Sequence, residues 1–155
     1  MKLTKYQEEL RFSIQELENN LNSMHAEDNN IFTGDSEAGE KIACLKHHFA
    51  DGLYGREILL KKDTAAIGKI HKKDCFLFIM SGEVVIVTED GNKKIKGPCM
   101  FPSLAGTKKV AYALTDVVWI DVYANKENSV DLKVIEDNVI AKNYLEYEEY
   151  KQIKE

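Results

Sequence analysis

The feature that most constrains the fold is a series of short β-type runs separated by tight-turn dipeptides. Between residues 41 and 124, runs rich in Val, Ile, Phe and Tyr recur about every ten residues, which is typical of a β-sandwich or small barrel. Glycine adopts positive φ without strain, so the glycine-containing dipeptides between the runs suit tight turns. They are Asp51-Gly52, Ser81-Gly82, Asp90-Gly91, Gly97-Pro98 and Ala105-Gly106. The pattern predicts about eight antiparallel strands in one mainly β domain.

Both ends of the chain show helical spacing instead. From Leu3 to Met24, apolar residues recur mostly three, four or seven positions apart, and Thr4 with Gln7 forms a capping-box pattern. This apolar seam is narrow, so it favours either docking on the β-domain or a contact between subunits. We predict an N-terminal helix over residues 1–24, a polar linker over 25–40, the β-domain over 41–125, and a helical segment with an acidic tail over 126–155.

Length and composition exclude several classes of protein. A chain of 155 residues has the length of one domain, and its apolar runs are too short to span a bilayer. The first residues lack the apolar stretch of a secretory signal, so we expect a cytoplasmic protein without a membrane partner. The three cysteines form no CxxC pair, which favours reduced thiols.

The distribution of charge points to a small anionic ligand. The whole chain has 21 basic and 26 acidic residues, for a net charge of −5. Residues 41–109 contain 13 basic and 7 acidic residues, which leaves 8 basic and 19 acidic residues elsewhere. Acidic ends repel a long polyanion, whereas a compact anion can reach a recessed basic pocket. We therefore expect no nucleic acid polymer as a partner.

Two stretches carry a resemblance to a known family. They are GKIHKKDCFLFIMSGEVVIVTEDG over residues 68–91 and GPCMFPSLAGTKKVAYA over residues 97–113. Both resemble the two motifs of the cupins. With the flanking strings HHFADGLYGRE and DVVWIDVY, the chain more closely resembles the small cupin-like proteins encoded by tailed bacteriophages, over roughly residues 44–141. The resemblance implies a jelly roll, or double-stranded β-helix, which is usually dimeric and has a pocket inside the barrel.

The ligands of a metal-binding cupin are mostly missing. Such a cupin supplies two His and a Glu from the first motif and a third His from the second. Here His71 stands at the first position, while Lys73 and Lys109 replace the other two histidines. No carboxylate lies between Cys75 and Met80, where the Glu is expected. The resemblance thus implies the fold, and we expect no metal and no cofactor.

Replacing metal ligands by lysines converts a cation site into a candidate anion site. Arg56 adds a possible bidentate contact, and strand aromatics offer stacking surfaces. The predicted ligand-binding residues are Arg56, Lys69, His71, Lys73, Phe78, Lys109, Tyr112 and Trp119. Tyr54 and Phe76 are further stacking candidates.

These observations favour a non-catalytic phage cupin that forms a homo-oligomer in the host cytoplasm. The broader hypothesis is that it binds a small anion. The narrower hypothesis is that this anion is a nucleotide signal of bacterial anti-phage defence, which the protein sequesters. One alternative is a cupin enzyme acting on a small metabolite. As an acid–base enzyme it would use His71 paired with Asp74 or Asp121. As a metalloenzyme it would use a rearranged site in which His71 is joined by His47 or His48 and by Cys75 or Cys99. Another alternative is a virion or assembly protein. Motifs of common enzyme classes such as GxSxG, HExxH and GxGxxG are absent from the sequence.

Overall fold

The structure, a computed structural model, describes residues 2–23, 31–33 and 43–154. Its helices are α1 (Lys5–Ser23), α2 (Leu132–Val139) and α3 (Tyr144–Lys154). Its strands are β1 (Ile31–Thr33), β2 (Cys44–Ala50), β3 (Leu53–Leu60), β4 (Ala65–Ile67), β5 (Ile70–His71), β6 (Cys75–Ser81), β7 (Glu83–Thr88), β8 (Gly91–Lys96), β9 (Cys99–Ser103), β10 (Val110–Ala113), β11 (Val117–Ala124) and β12 (Ile140–Ala141). Within the described residues, no helix is both long and apolar enough to cross a membrane.

The strands pair as one nested hairpin. β7 pairs with β8, β6 with β9, β4 with β10 and β3 with β11, and every pair is antiparallel. Successive pairs fall alternately into two sheets, in the orders β1-β4-β10-β7-β8 and β2-β3-β11-β6-β9. A long hairpin wrapped into two facing sheets in this way is a jelly roll. The strand pairing confirms the predicted mainly β jelly roll with an N-terminal helix and a C-terminal helical segment.

The predicted linker lies mostly outside the described residues. The part of it that is described, β1, pairs in parallel with β4 and so extends the first sheet. β12 pairs with β5 in a separate two-stranded sheet, which joins the C-terminal segment to the barrel. These pairings bring the ends of the chain against the β-domain.

Alternation along the strands builds the core between the two sheets. On β6, Cys75, Leu77 and Ile79 are buried, while the residues between them face outward. On β11, Val117 and Trp119 lie in the apolar core, but the next inward position is Asp121. The barrel therefore has an apolar end and a polar end.

The helices begin where the side-chain chemistry predicts. Ahead of α1, Thr4 Oγ1 accepts from the Gln7 amide at 3.2 Å, and Gln7 Oε1 accepts from the Thr4 amide at 2.9 Å, which completes a capping box. Asp131 caps α2 by accepting from the Lys133 amide at 2.9 Å. Ile14 of α1 is buried, so α1 docks on the β-domain.

Acidic side chains of the terminal helices pair with lysines of the basic domain. Lys108 pairs with Glu18 of α1, Lys69 with Glu136 of α2, and Lys72 with Glu146 of α3. Two further lysines, Lys94 and Lys96, pair with Glu83 on the neighbouring strand. The three ion pairs with the helices therefore offset part of the charge asymmetry of the sequence.

We predict that Glu18→Gln destabilises the protein by about 3 kcal/mol, because it leaves the buried Lys108 ammonium without its carboxylate. The Lys108 side chain is only 3% exposed. Adding Lys108→Met to Glu18→Gln should recover most of the loss, since no buried charge then remains unpaired. Urea denaturation measures these differences.

The matched control for this experiment is Glu16→Gln, which removes the same charge from an exposed position of α1. An equal effect of Glu16→Gln and Glu18→Gln would contradict a buried ion pair as the cause.

Candidate functional site

A cavity of about 60 Å³ occupies the polar end of the barrel. β3 supplies Arg56, β5 supplies His71 and β11 supplies Trp119 and Asp121, while Lys109 immediately precedes β10. These side chains come together because β3 and β11 are neighbours and their alternate residues face inward. The rest of the lining is mostly aliphatic, so the charged groups lie in a medium of low polarity.

The structure brings five of the eight predicted binding residues to this cavity. They are Arg56, Lys69, His71, Lys109 and Trp119. Sequence reasoning gave Tyr123 and Ser103 no role, although both are buried and Tyr123 bonds His71. The signal for Tyr123 was present, because it lies two residues after Asp121 and four after Trp119 on one strand.

Three of the predicted residues do not line the cavity. Lys73 is exposed, because β5 ends at His71 and the chain turns there, so the two residues do not share a strand face. Phe78 lies on the outer face of β6 opposite Ile120. Tyr112 is 42% exposed on β10 and donates a hydrogen bond to Asp63 Oδ1 at 3.2 Å. Lys73 thus cannot act from an inward position, contrary to the expectation from the motif.

Both ring nitrogens of His71 are engaged within the barrel. Its Nδ1 lies 3.3 Å from Cys75 Sγ and its Nε2 lies 3.1 Å from the Tyr123 hydroxyl. Burial lowers the pKa of His71 to about 3, and the positive charges of Lys109 and Arg56 act in the same direction. The imidazole is therefore neutral at neutral pH.

The partners of His71 are neutral as well. Burial, with a smaller effect of Asp121, raises the pKa of the Cys75 thiol to about 12. Burial also raises the pKa of Tyr123 well above its ordinary value. Since the thiolate is the nucleophilic form of cysteine, Cys75 is inert as a nucleophile in this setting.

Apart from Lys69, which pairs with Glu136 of α2, the charged side chains among the described lining residues are Lys109, Arg56 and Asp121. Lys109 Nζ donates to Ser103 Oγ, and burial lowers its pKa against the attraction of Asp121. Trp119 Nε1 donates to Asp121 Oδ1 at 3.0 Å, whereas burial raises the pKa of that carboxyl. Two basic side chains therefore face a single carboxyl group.

Arg56 is the half-buried member of this set, since Lys109 and Asp121 are buried. It lies directly opposite Asp121 in the pairing of β3 with β11, yet it makes no hydrogen bond or ion pair with any described residue. It also lines a second cavity of about 140 Å³, which α2 covers with Ile135 and Glu136. The guanidinium thus stands between the barrel interior and an outer cavity with its donors available.

The residues present do not fit the metal that the cupin resemblance implies. Across residues 2–23, 31–33 and 43–154, no three His, Cys, Asp or Glu side chains converge as ligands. His47 bonds the Tyr54 hydroxyl at 2.8 Å, and His48 bonds Glu57 at 2.9 Å on the outer face, so neither joins His71. A rearranged site of these histidines is therefore not formed.

The acid–base pairs expected from the sequence are not formed by direct contact either. Asp74 is exposed and accepts from the Ala105 amide at 2.8 Å. Asp121 lines the same cavity as His71, but both ring nitrogens of His71 already contact Cys75 and Tyr123. His71 consequently has no free nitrogen for a substrate in this arrangement.

Comparison with known proteins yields structural neighbours only. No family model and no curated protein matches the sequence. A cupin domain from Bordetella pertussis is similar at 13% identity over 54% of this chain and 93% of that chain, with a TM-score of 0.44. KdgF from Halomonas is similar at 14% identity over 52% of this chain and 79% of that chain, also with a TM-score of 0.44.

A cupin-2 domain protein from Shewanella frigidimarina shows 11% identity over 52% of this chain and 80% of that chain, with a TM-score of 0.43. At these sequence identities and TM-scores, similarity to the neighbours gives no information about the activity of this chain. The jelly-roll assignment rests on the nested strand pairing, and the function has to be argued from the cavity itself.

We predict that stability falls as the pH drops from about 7 to 5, through the titration of His71. The unfolded imidazole takes a proton near its ordinary pKa of 6.5, whereas the folded one resists protonation down to about 3. The unfolded state therefore binds more protons in this window, and His71 alone should account for a loss of about 2 kcal/mol at pH 5. Urea midpoints at several pH values measure it.

The control is His71→Gln, which keeps hydrogen-bonding groups but does not titrate. It also separates this effect from the opposite one of Asp121, whose raised pKa makes stability fall as the pH rises. The same pH dependence in both proteins would show that His71 is not the source.

Proposed function

We propose that this protein is a jelly-roll binding protein whose barrel holds the negatively charged group of a small molecule. The observation that carries the proposal is the Arg56 guanidinium, which faces two cavities without a partner among the described residues. A guanidinium presents its donors in a planar fork that matches a carboxylate or phosphate group. With Lys109 on the same cavity, an anion would satisfy both cations at once.

The size of the cavity restricts what enters the barrel. A volume of about 60 Å³ corresponds to about four to six water positions, so it accommodates a carboxylate with a short chain or a single phosphate. Surrounding aliphatic residues would exclude water and strengthen each charged hydrogen bond. The barrel interior thus favours a compact anion over a whole nucleotide.

Sequestration of a nucleotide signal of anti-phage defence is the narrower form of this proposal. In that form a phosphate would bind Arg56 from the outer cavity, while the base would remain outside the barrel near Tyr54 and His47. Both side chains line that cavity. Tyr54 is buried and its ring stacks with those of His47 and Tyr123 at centroid distances of 5.9 Å, so the half-buried His47 ring is the one that would meet a base. Stacking on such a platform is the usual way proteins hold an unpaired base.

Binding without catalysis agrees with the chemistry of the barrel. The Cys75 thiol is neutral, and the His71 imidazole is neutral with both nitrogens occupied. General acid–base catalysis needs a group within reach of the substrate and with a pKa near the working pH. His71 lacks both properties, so we favour a binding protein over an acid–base enzyme.

An association of two copies of this chain is supported by the outer face of the second sheet. Phe76, Met80 and Met100 are 51%, 50% and 56% exposed there, beside half-buried Ile120 and Val122. Outward positions of a two-sheet fold are usually polar. An apolar face of this kind can cover itself against the same face of a second copy related by a two-fold axis.

We predict that Arg56→Gln weakens the binding of small anions about tenfold or more, because it removes charge-assisted hydrogen bonds in a dry site. Titration calorimetry with lactate, inorganic phosphate, a cyclic nucleotide and ADP-ribose measures the affinity and separates the small-anion form from the nucleotide form. Lys73→Gln is the matched control, since it removes one positive charge from an exposed turn. Equal effects of the two substitutions, or no binding of any of these anions, would refute the proposal.

We predict that Phe76→Ser combined with Met100→Ser converts a dimer of this protein into monomers, because it breaks the apolar outer face. Light scattering after size-exclusion chromatography reports the mass. Leu145→Ser changes a still more exposed apolar residue, on α3, and should leave the dimer intact. A monomeric wild-type protein would contradict self-association through this face.

A further inference from the structure

Lys109 differs from the other buried or half-buried lysines of the β-domain in the partner that it has. Its neighbour Lys108 pairs with the carboxylate of Glu18, and Lys69 and Lys72 pair with Glu136 and Glu146. The partner of Lys109 among the described residues is a neutral hydroxyl, that of Ser103. In the part of the chain that the structure describes, no carboxylate therefore holds Lys109 in its charged form by direct contact.

Lys109 is shielded from bulk solvent, yet its side chain lines a cavity that a ligand can occupy. The residue is only 8% exposed, yet it lines the barrel cavity and also borders a groove of about 490 Å³ between β8 and β9. Burial lowers the pKa of its ammonium, and Asp121 offsets this only in part. A buried lysine of this kind is the side chain that proteins use to condense with carbonyl compounds.

Lys109 favours a ligand with a carbonyl group, and Arg56, which lines the same cavity, favours one with a negative charge. Lys109 and Arg56 both lie close enough to His71 for their charges to lower its pKa. A molecule that fills the cavity therefore meets both a guanidinium and the Lys109 nitrogen. A carboxylate next to a carbonyl is the smallest group that matches both.

We propose that Lys109 forms a reversible Schiff base with a short 2-oxo acid whose carboxylate is bound by Arg56. This inference rests on the proposed function, because the same Arg56 contact selects the anion. The smallest 2-oxo acids have about five or six non-hydrogen atoms, which agrees with the four to six water positions of the cavity.

The step balances without an oxidant or reductant. In its deprotonated form, Lys109 attacks the carbonyl carbon with the nitrogen lone pair, a C–N bond forms, and the carbonyl π electrons move to the oxygen, which takes up a proton. The carbinolamine then breaks its C–O bond, and the oxygen leaves as water with the two hydrogens that the amine has lost. Ser103 Oγ, which accepts from Lys109 Nζ, is placed to relay one of these protons.

The experiment incubates the full chain with pyruvate and sodium cyanoborohydride, which reduces an imine to a stable secondary amine. Intact mass and peptide mapping then locate the adduct. We expect one reduced pyruvate adduct, located on Lys109, with Lys108 as the internal control in the same peptide region. Lys109→Arg should abolish it, and Arg56→Gln should reduce its yield at limiting pyruvate about tenfold or more.

Two further probes separate the possible failures. Lactate has the carboxylate of pyruvate without a carbonyl, and acetaldehyde has a carbonyl without the carboxylate. We expect lactate to bind without an adduct, and acetaldehyde to show no preference for Lys109.

Binding of lactate without any pyruvate adduct would overturn the Schiff base and leave the proposed function intact. Failure of lactate to bind would overturn the anion site itself. An adduct spread equally over Lys109 and exposed lysines in the wild-type protein would also overturn the inference, and this outcome needs no variant to fold.

Discussion

The antiparallel pairing of β3 with β11 is the constraint on which the site depends. In this register Arg56 lies opposite Asp121, Tyr54 opposite Tyr123 and Ile58 opposite Trp119, with all of these side chains directed inward. A shift of one residue would turn each strand over and place Glu57 in the barrel instead of Arg56. The nested hairpin makes such a shift costly, because β11 is held on its other side by β6.

The charge balance of the interior follows from what this register buries. Besides Lys69, which Glu136 neutralises, Arg56 and Lys109 bring two basic groups to a cavity whose described lining has one carboxyl group, that of Asp121, and a neutral imidazole. Charges in a medium of low polarity are costly unless they are paired. Outside the barrel the fold meets this requirement internally, since Glu18 and Glu146 neutralise Lys108 and Lys72. Inside the barrel a bound anion would do the same.

A jelly roll can hold a metal or an anion at similar inward positions, and the side chains decide which. Here both ring nitrogens of His71 are within hydrogen-bonding distance of Cys75 and Tyr123. Lys109 occupies the position that the cupin resemblance gives to a histidine. Ammonium groups repel a divalent ion and attract carboxylates. The same residue that removes the metal chemistry thereby provides an amine, which is the basis of the Schiff base proposed for Lys109.

The sequence by itself determined the mainly β domain, the helical ends and the capping box of Thr4 and Gln7, because these follow from local periodicity and turn chemistry. The jelly roll was an implication of the cupin resemblance. The sequence also placed Arg56, Lys109 and Trp119 among the candidate binding residues, and the structure brings them to one cavity.

Only the tertiary structure decided which face of an apolar strand is inward. On β6 both sets of alternate residues are apolar, so the outward position of Phe78 could not be read from the pattern. Lys73 likewise lies outside because β5 ends two residues earlier, and the burial of Lys108 depends on a helix that begins more than a hundred residues before it in the chain. Strand ends and long-range ion pairs are set by packing between distant segments, so the local sequence does not predict them.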